Sequence, residues 1–183
     1  MRSPHFLLLL GAALLWAGHC RAQALPDSKT AWRQAREAAA DNFKHARAQC
    51  DSVTGNPRDL CIAEAKAARV RAEEEANAAH ENTLKAYTRA RMRIASANYE
   101  RDKTRCAALT GNDKDVCQEQ AKAALIAAEA DAKADRKTIE ARNEAREDKQ
   151  KAAYRVALEK CDAFAGAAKD QCVTAAKAAY ALP

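Results

Sequence analysis

Apolar side chains along this chain recur at three- and four-residue steps, the spacing that lines one face of a helix. One such stripe runs through Ala39, Phe43, Ala46, Cys50 and Val53, and a second through Met92, Ala95, Tyr99, Cys106 and Leu109, with Asp102 interrupting it. No stretch shows the alternation of a half-buried strand. The pattern predicts a helix over about 28–54, two long ones over about 57–109 and 112–165, and a short one over about 168–181. Unbroken, each long helix would measure roughly 80 Å. Between about 73 and 83, and again from about 129 to 138, the stripe thins to Ala and polar groups, so these are the places where a long helix could bend.

The helix breakers fall in register with a repeat. Beyond residue 24 the Gly and Pro positions are Pro26, Gly55, Pro57, Gly111, Gly166 and Pro183, and every interior one stands in a short turn between two helices. Aligned on Cys50, Cys106 and Cys161, one unit recurs at intervals of 56 and 55 residues. An aromatic stands seven residues before each of these cysteines (Phe43, Tyr99, Tyr154) and an apolar residue three after it (Val53, Leu109, Phe164). A second cysteine follows (Cys61, Cys117, Cys172), and then an Ala-Lys-Ala-Ala run from Ala65, Ala121 and Ala176. Gly just past a helix can adopt the left-handed closing conformation. Asn56 and Asn112 are placed to cap the following helix, Pro57 suits a first helical position, and Asp59 and Asp115 add favourable charge to the helix start. The third turn lacks the Asn and should be the weakest.

The fold class expected is therefore all-α: antiparallel long helices joined by three αα-hairpin turns at 50–61, 106–117 and 161–172, an elongated, coiled-coil-like bundle. The mature region 25–183 reads as a single elongated helical domain. Straight long helices would put the turns at Gly55 and Gly166 at one end, Gly111 at the other, and leave residues near 84–134 as a two-helix stalk. That is the expected form. Bends would instead stack three hairpins as a short solenoid.

The N-terminus changes the picture of the cysteines. Arg2, the apolar run from Phe6 to Ala17 and the small-residue site Ala22-Gln23-Ala24 form the three parts of a cleaved secretory signal over residues 1–24, with cleavage after Ala22 or Ala24. The run is about half of what a bilayer-spanning helix requires, and no later stretch compares, so the mature form is expected to have no transmembrane segment and to reside in the periplasm. A lipid-anchored reading of Cys20 meets His19 where that processing needs a small residue. If Cys20 departs with the signal, seven cysteines become six, an even number in an oxidising compartment. Each first cysteine lies five residues before its turn Gly and each second six after, at equal height on facing helices. Structural disulfides Cys50–Cys61, Cys106–Cys117 and Cys161–Cys172 follow, each worth about 2–3 kcal/mol for so short a loop. They matter because Ala dominates the apolar residues and leaves a thin core.

Composition argues against most chemistry. Removal of the signal leaves 29 basic against 25 acidic residues, too even a balance to suggest nucleic acid. Arg89, Arg91, Arg93, Arg101, Lys103 and Arg105 form the most basic stretch and read as a solvated helical flank, with contact to an anionic envelope surface or acidic partner as the alternative. No cysteine pair has the C-x-x-C spacing of a redox site, and His45 and His80 lie outside the repeated unit, so neither redox catalysis nor a metal is expected. His80-Glu81 has Leu84 where a zinc-protease helix carries its second histidine, so His80 reads as solvated. Glu73-Glu74-Glu75 occupy successive positions around a helix and read as a solvated face. No catalytic residue or cofactor is expected.

The unit Cys106-x-x-Leu109-x-Gly111-Asn112-x-Lys114-Asp115-x-Cys117 resembles one found in Ala/Lys/Glu-rich exported proteins of proteobacteria, some of them called TolA-like. The first copy carries Arg58 in place of the lysine, and the third departs at Ala167 and Gln171. The resemblance covers most of the mature chain and implies no catalytic residue. The function expected is that of a periplasmic helical scaffold contacting protein partners of the envelope through its helical faces or its Thr110-to-Asp115 tip, with a holdase-like chaperone as the alternative. Ala-rich stripes that bury little within one chain leave homo-oligomerisation open.

Overall fold

The computed structural model describes residues 28–180, so the signal and Cys20 lie outside it. Five helices account for nearly all of this region: α1 (Ser28–Gln49), continued by a 3₁₀ turn (Cys50–Ser52), α2 (Gly55–Glu81), α3 (Leu84–Cys106), α4 (Gly111–Cys161) and α5 (Gly166–Tyr180). No strand forms among the described residues. Each helix packs against its neighbours in sequence and against no others, α1 on α2, α2 on α3, α3 on α4 and α4 on α5. The result is an antiparallel row rather than a bundle around one centre.

The first predicted long helix is broken and the second is not. Asn82 adopts the left-handed conformation (φ 45°), with its N–H bonded to the Ala78 carbonyl, and so ends α2. Thr83 then caps α3, its hydroxyl accepting from the Ala86 N–H at 3.1 Å. At the equivalent place in the next unit stand Thr138 and Ile139, neither suited to positive φ. There α4 runs on as one helix of 51 residues, about 76 Å long. The break overturns the expected placement of the turns. With α3 folded back on α2, the turns at Gly55 and Gly111 share one end, and the Asn56 side-chain amide donates to the Thr104 carbonyl at 2.8 Å. The architecture combines two stacked hairpins with one projecting half-helix.

The core explains why cysteines carry so much of the packing. Its buried apolar side chains are Ala or Cys throughout, and the largest fully buried ones are Cys50, Cys106 and Cys161. The disulfides Cys50–Cys61, Cys106–Cys117 and Cys161–Cys172 form within each unit, with Cα atoms 5.6–5.7 Å apart, inside the ordinary range. Alanine lets the helices approach closely but removes little apolar area from water. Covalent closure of each corner supplies what the side chains do not.

Larger side chains anchor the row at a few points. The Trp32 indole N–H donates to Asn77 at 2.8 Å, and its ring stacks on His80, centroids 5.3 Å apart. His80 is thus a packing partner of α1 as well as an exposed residue. Of the aromatics seven residues before each first cysteine, Phe43 lies under the Arg69 guanidinium, Tyr99 under the Lys103 ammonium and Tyr154 against Tyr180.

Candidate interaction surface

The three turns share one backbone course. In each, the residue three after the first cysteine bonds through its N–H to that cysteine's carbonyl (Val53 to Cys50, Leu109 to Cys106, Phe164 to Cys161). A left-handed glycine follows at φ 63°, 56° and 56° for Gly55, Gly111 and Gly166. Thr54 and Thr110, both extended, occupy the capping positions of α2 and α4 without a side-chain bond to the helix. Asn56 therefore does not cap its own helix: it satisfies one of the last open carbonyls of α3, tying the first tip to the second. Asn112, expected to cap α4, is likewise one residue inside a helix that Thr110 precedes.

This course turns the repeated apolar residue outward. Val53, Leu109 and Phe164 are 38%, 41% and 52% exposed although each follows a fully buried cysteine. Val53 and Leu109 belong to the two tips that share an end, while Phe164 stands alone at the far end of α4. Ion pairs brace the first and third tips at matching positions, Arg58 to Asp51 and Lys169 to Asp162, both at 2.8 Å. The Arg58 hydrogen bond holds the Asp51 carboxyl below its usual range, and the bond to Asp162 raises the Lys169 ammonium. The second tip has Ala107 where the others carry the aspartate, so Lys114 meets no such partner there.

The basic stretch is neutralised within the chain. Arg89 pairs with Glu81, Arg91 with Asp135 (2.6 Å), Arg93 with Glu74 (2.9 Å) and Lys103 with Glu100 (3.1 Å). Asp102, the residue interrupting the apolar stripe, takes both Arg101 and Arg105 at 2.9 Å. Its hydrogen bond raises the Arg101 guanidinium further above the titration range. The carboxylate run also differs from a solvated face. Glu73 holds Arg69, and Glu74 is 8% exposed at the α2–α3 contact, where Arg93 compensates its charge.

Beside α3, an open groove of about 450 Å³ runs between α2 and α4, with Ala90 and Ala95 among its alanines and Tyr87 and Ile94 along it. Arg71, Glu75 and Asp131 supply its charges. Among the described residues no group of three or more His, Cys, Asp or Glu is placed to hold a metal ion, and no helix is long and apolar enough to cross a membrane. Comparison with family models, with curated proteins and with solved structures found no match.

Proposed function

We propose that this protein is a non-catalytic helical scaffold of the cell envelope, acting in the periplasm by presenting its paired tips to a protein partner. The observation that carries the reading is the pair Val53 and Leu109. Two apolar side chains project from adjacent, disulfide-closed corners, and Asn56 fastens one corner to the other. A contact preorganised in this way loses little side-chain freedom on binding. Three disulfides fit an oxidising compartment, in keeping with the secretory pattern of residues 1–24. The resemblance of the Cys106–Cys117 unit to exported proteobacterial proteins points the same way.

The test is a photo-activated crosslinking residue placed at Leu109 in living cells, with another at Gln34, on the outer face of α1, as control. A single reproducible protein adduct at Leu109, lost when Val53 is changed to Asp, supports the scaffold. No adduct, together with no phenotype under envelope stress, refutes it. Suppression of client aggregation at near-stoichiometric ratio by the purified protein would instead place it with holdase chaperones.

A further inference from the structure

The internal repeat assigns a partner to each helical face, and one face lacks it. In α2 the stripe Leu60, Ala67, Val70, Glu74 and Ala78 is covered by α3: Ala67, Glu74 and Ala78 are at most 8% exposed, and Glu74 takes Arg93 of α3. Moved on by one unit, the same stripe in α4 is Val116, Ala123, Ile126, Ala130 and Ala134. All five are exposed, Val116 at 46% and Ile126 at 58%. What covers the α2 stripe is α3, and the unit-equivalent of α3 is the second half of α4 itself. Because α4 does not turn at Thr138-Ile139 as the chain turns at Asn82-Thr83, that half points away and cannot cover its own first half.

The projecting half carries the complementary stripe. Ala86, Ala90 and Ala97 of α3 correspond to Ala141, Ala145 and Ala152, and Arg101 corresponds to Val156, which is 55% exposed. At helical spacing the two stripes join into one band from Val116 to Val156. The band lies opposite the face on which α3 buries Ala121 and Ala132, and α5 sits on that same face beyond, so no element of the chain obstructs it. The other open side of the row is closed by polarity: the outer face of α1 carries Gln34, Asp41 and His45, all exposed. An array capped at one end and apolar at the other lacks a neighbour at the apolar end.

We infer that the neighbour is a second copy of this chain, with α4 packing antiparallel on α4 of the partner subunit across a two-fold axis at Thr138–Ile139. Each projecting half then covers the other copy's α4 stripe as α3 covers that of α2. Charge fixes the same register independently. With the axis there, Lys133 faces Glu144 of the partner subunit and Lys137 faces Glu140 of the partner subunit, giving four ion pairs by symmetry. Glu140 holds Arg136 of its own helix through Oε1, which leaves its second carboxylate oxygen for Lys137. A band about 65 Å long and roughly 10 Å wide on each copy covers about 1,300 Å² in total, the size of a specific interface.

The test uses the full exported chain, purified with its disulfides intact. Sedimentation and light scattering at micromolar concentration should give twice the monomer mass. Zero-length carbodiimide coupling should join Lys133 to Glu144 within that dimer. The two are about 16 Å apart along one helix, so only a bond between copies can join them. Ile126→Glu with Val156→Glu should weaken association at least about tenfold with unchanged helicity, since both side chains are exposed in the single chain. Lys137→Glu alone should weaken the dimer, and Lys137→Glu with Glu140→Lys should restore it. A monomer at these concentrations, a dimer indifferent to Ile126→Glu/Val156→Glu, or a dimer without the Lys133–Glu144 link overturns the inference.

Discussion

Opening the third disulfide by changing Cys161 and Cys172 to Ala should release α5 while leaving the rest of the chain folded. The corner closes a loop of 11-residue separation, like the other two, so the entropic gain is the same at each, about 2–3 kcal/mol. What differs is the packing behind it. Helix α5 has 15 residues, too few to persist alone, and Ala176 is its one buried side chain. Its remaining ties are the Tyr154–Tyr180 ring contact and the 2.7 Å bond from the Gln150 amide to the Tyr180 carbonyl. Losing the crosslink should therefore lower the closing equilibrium roughly 30- to 160-fold. Amide hydrogen exchange reads this directly: protection over 166–180 should fall by that factor, with α2 and α3 unchanged. The matched Cys50→Ala/Cys61→Ala variant should keep α1 docked, because Trp32 and Phe43 still engage α2. Equal loss of protection in α1 and α5, or none in α5, refutes the argument that alanine packing alone cannot hold the third hairpin.

Other perturbations probe the corner, the compensated charge and the first tip. Asn82→Val should destabilise by about 1–2 kcal/mol in urea unfolding, since a β-branched residue does not sit at φ 45°, whereas Asn82→Gly should be near neutral; equal effects would show that the corner is not set there. Arg93→Ala leaves the nearly buried Glu74 carboxylate unpaired and should cost about 1–3 kcal/mol, largely recovered by adding Glu74→Ala. An uncoupled double-mutant cycle would contradict this. The Asp51 carboxyl, held down chiefly by the Arg58 hydrogen bond, has a folded pKa below its unfolded one. Its contribution is complete above about pH 4 and is lost as pH falls through the depressed value. Arg58→Ala should raise the Asp51 midpoint in an NMR titration, and an unmoved midpoint would break the assignment.

Much of this architecture is legible in the sequence because glycine and cysteine are unambiguous. A chain with so few glycines can place left-handed turns in few places, and the cysteines sit at equal height across each of them. The corner at Asn82-Thr83 is harder to see. Asn visits the left-handed region at small cost but also sits in helices, and Thr is a cap only when the chain has already turned. A bend somewhere in 73–83 can be read from the thinning stripe, but thinning occurs equally over 129–138, where α4 runs straight. What separates the two is whether an Asn is available to turn, a single-residue difference between units. The misreading of Glu74 as solvated follows from the same residue: only when α3 folds back does Arg93 arrive opposite it. The basic stretch likewise looks open in sequence because Asp135 and Glu64, which meet Arg91 and Arg105, are supplied by neighbouring helices.

From Lys137 to Lys149 every residue of α4 is exposed, and no other helix of the same chain supports it. This span works as an axle between the paired tips and the Phe164 tip. Each residue in it contributes about 1.5 Å of distance and 100° of rotation. Evolution could shift the azimuth of the far tip by a large angle with one inserted residue while barely changing its reach, whereas a seven-residue insertion would lengthen the axle and nearly preserve its orientation.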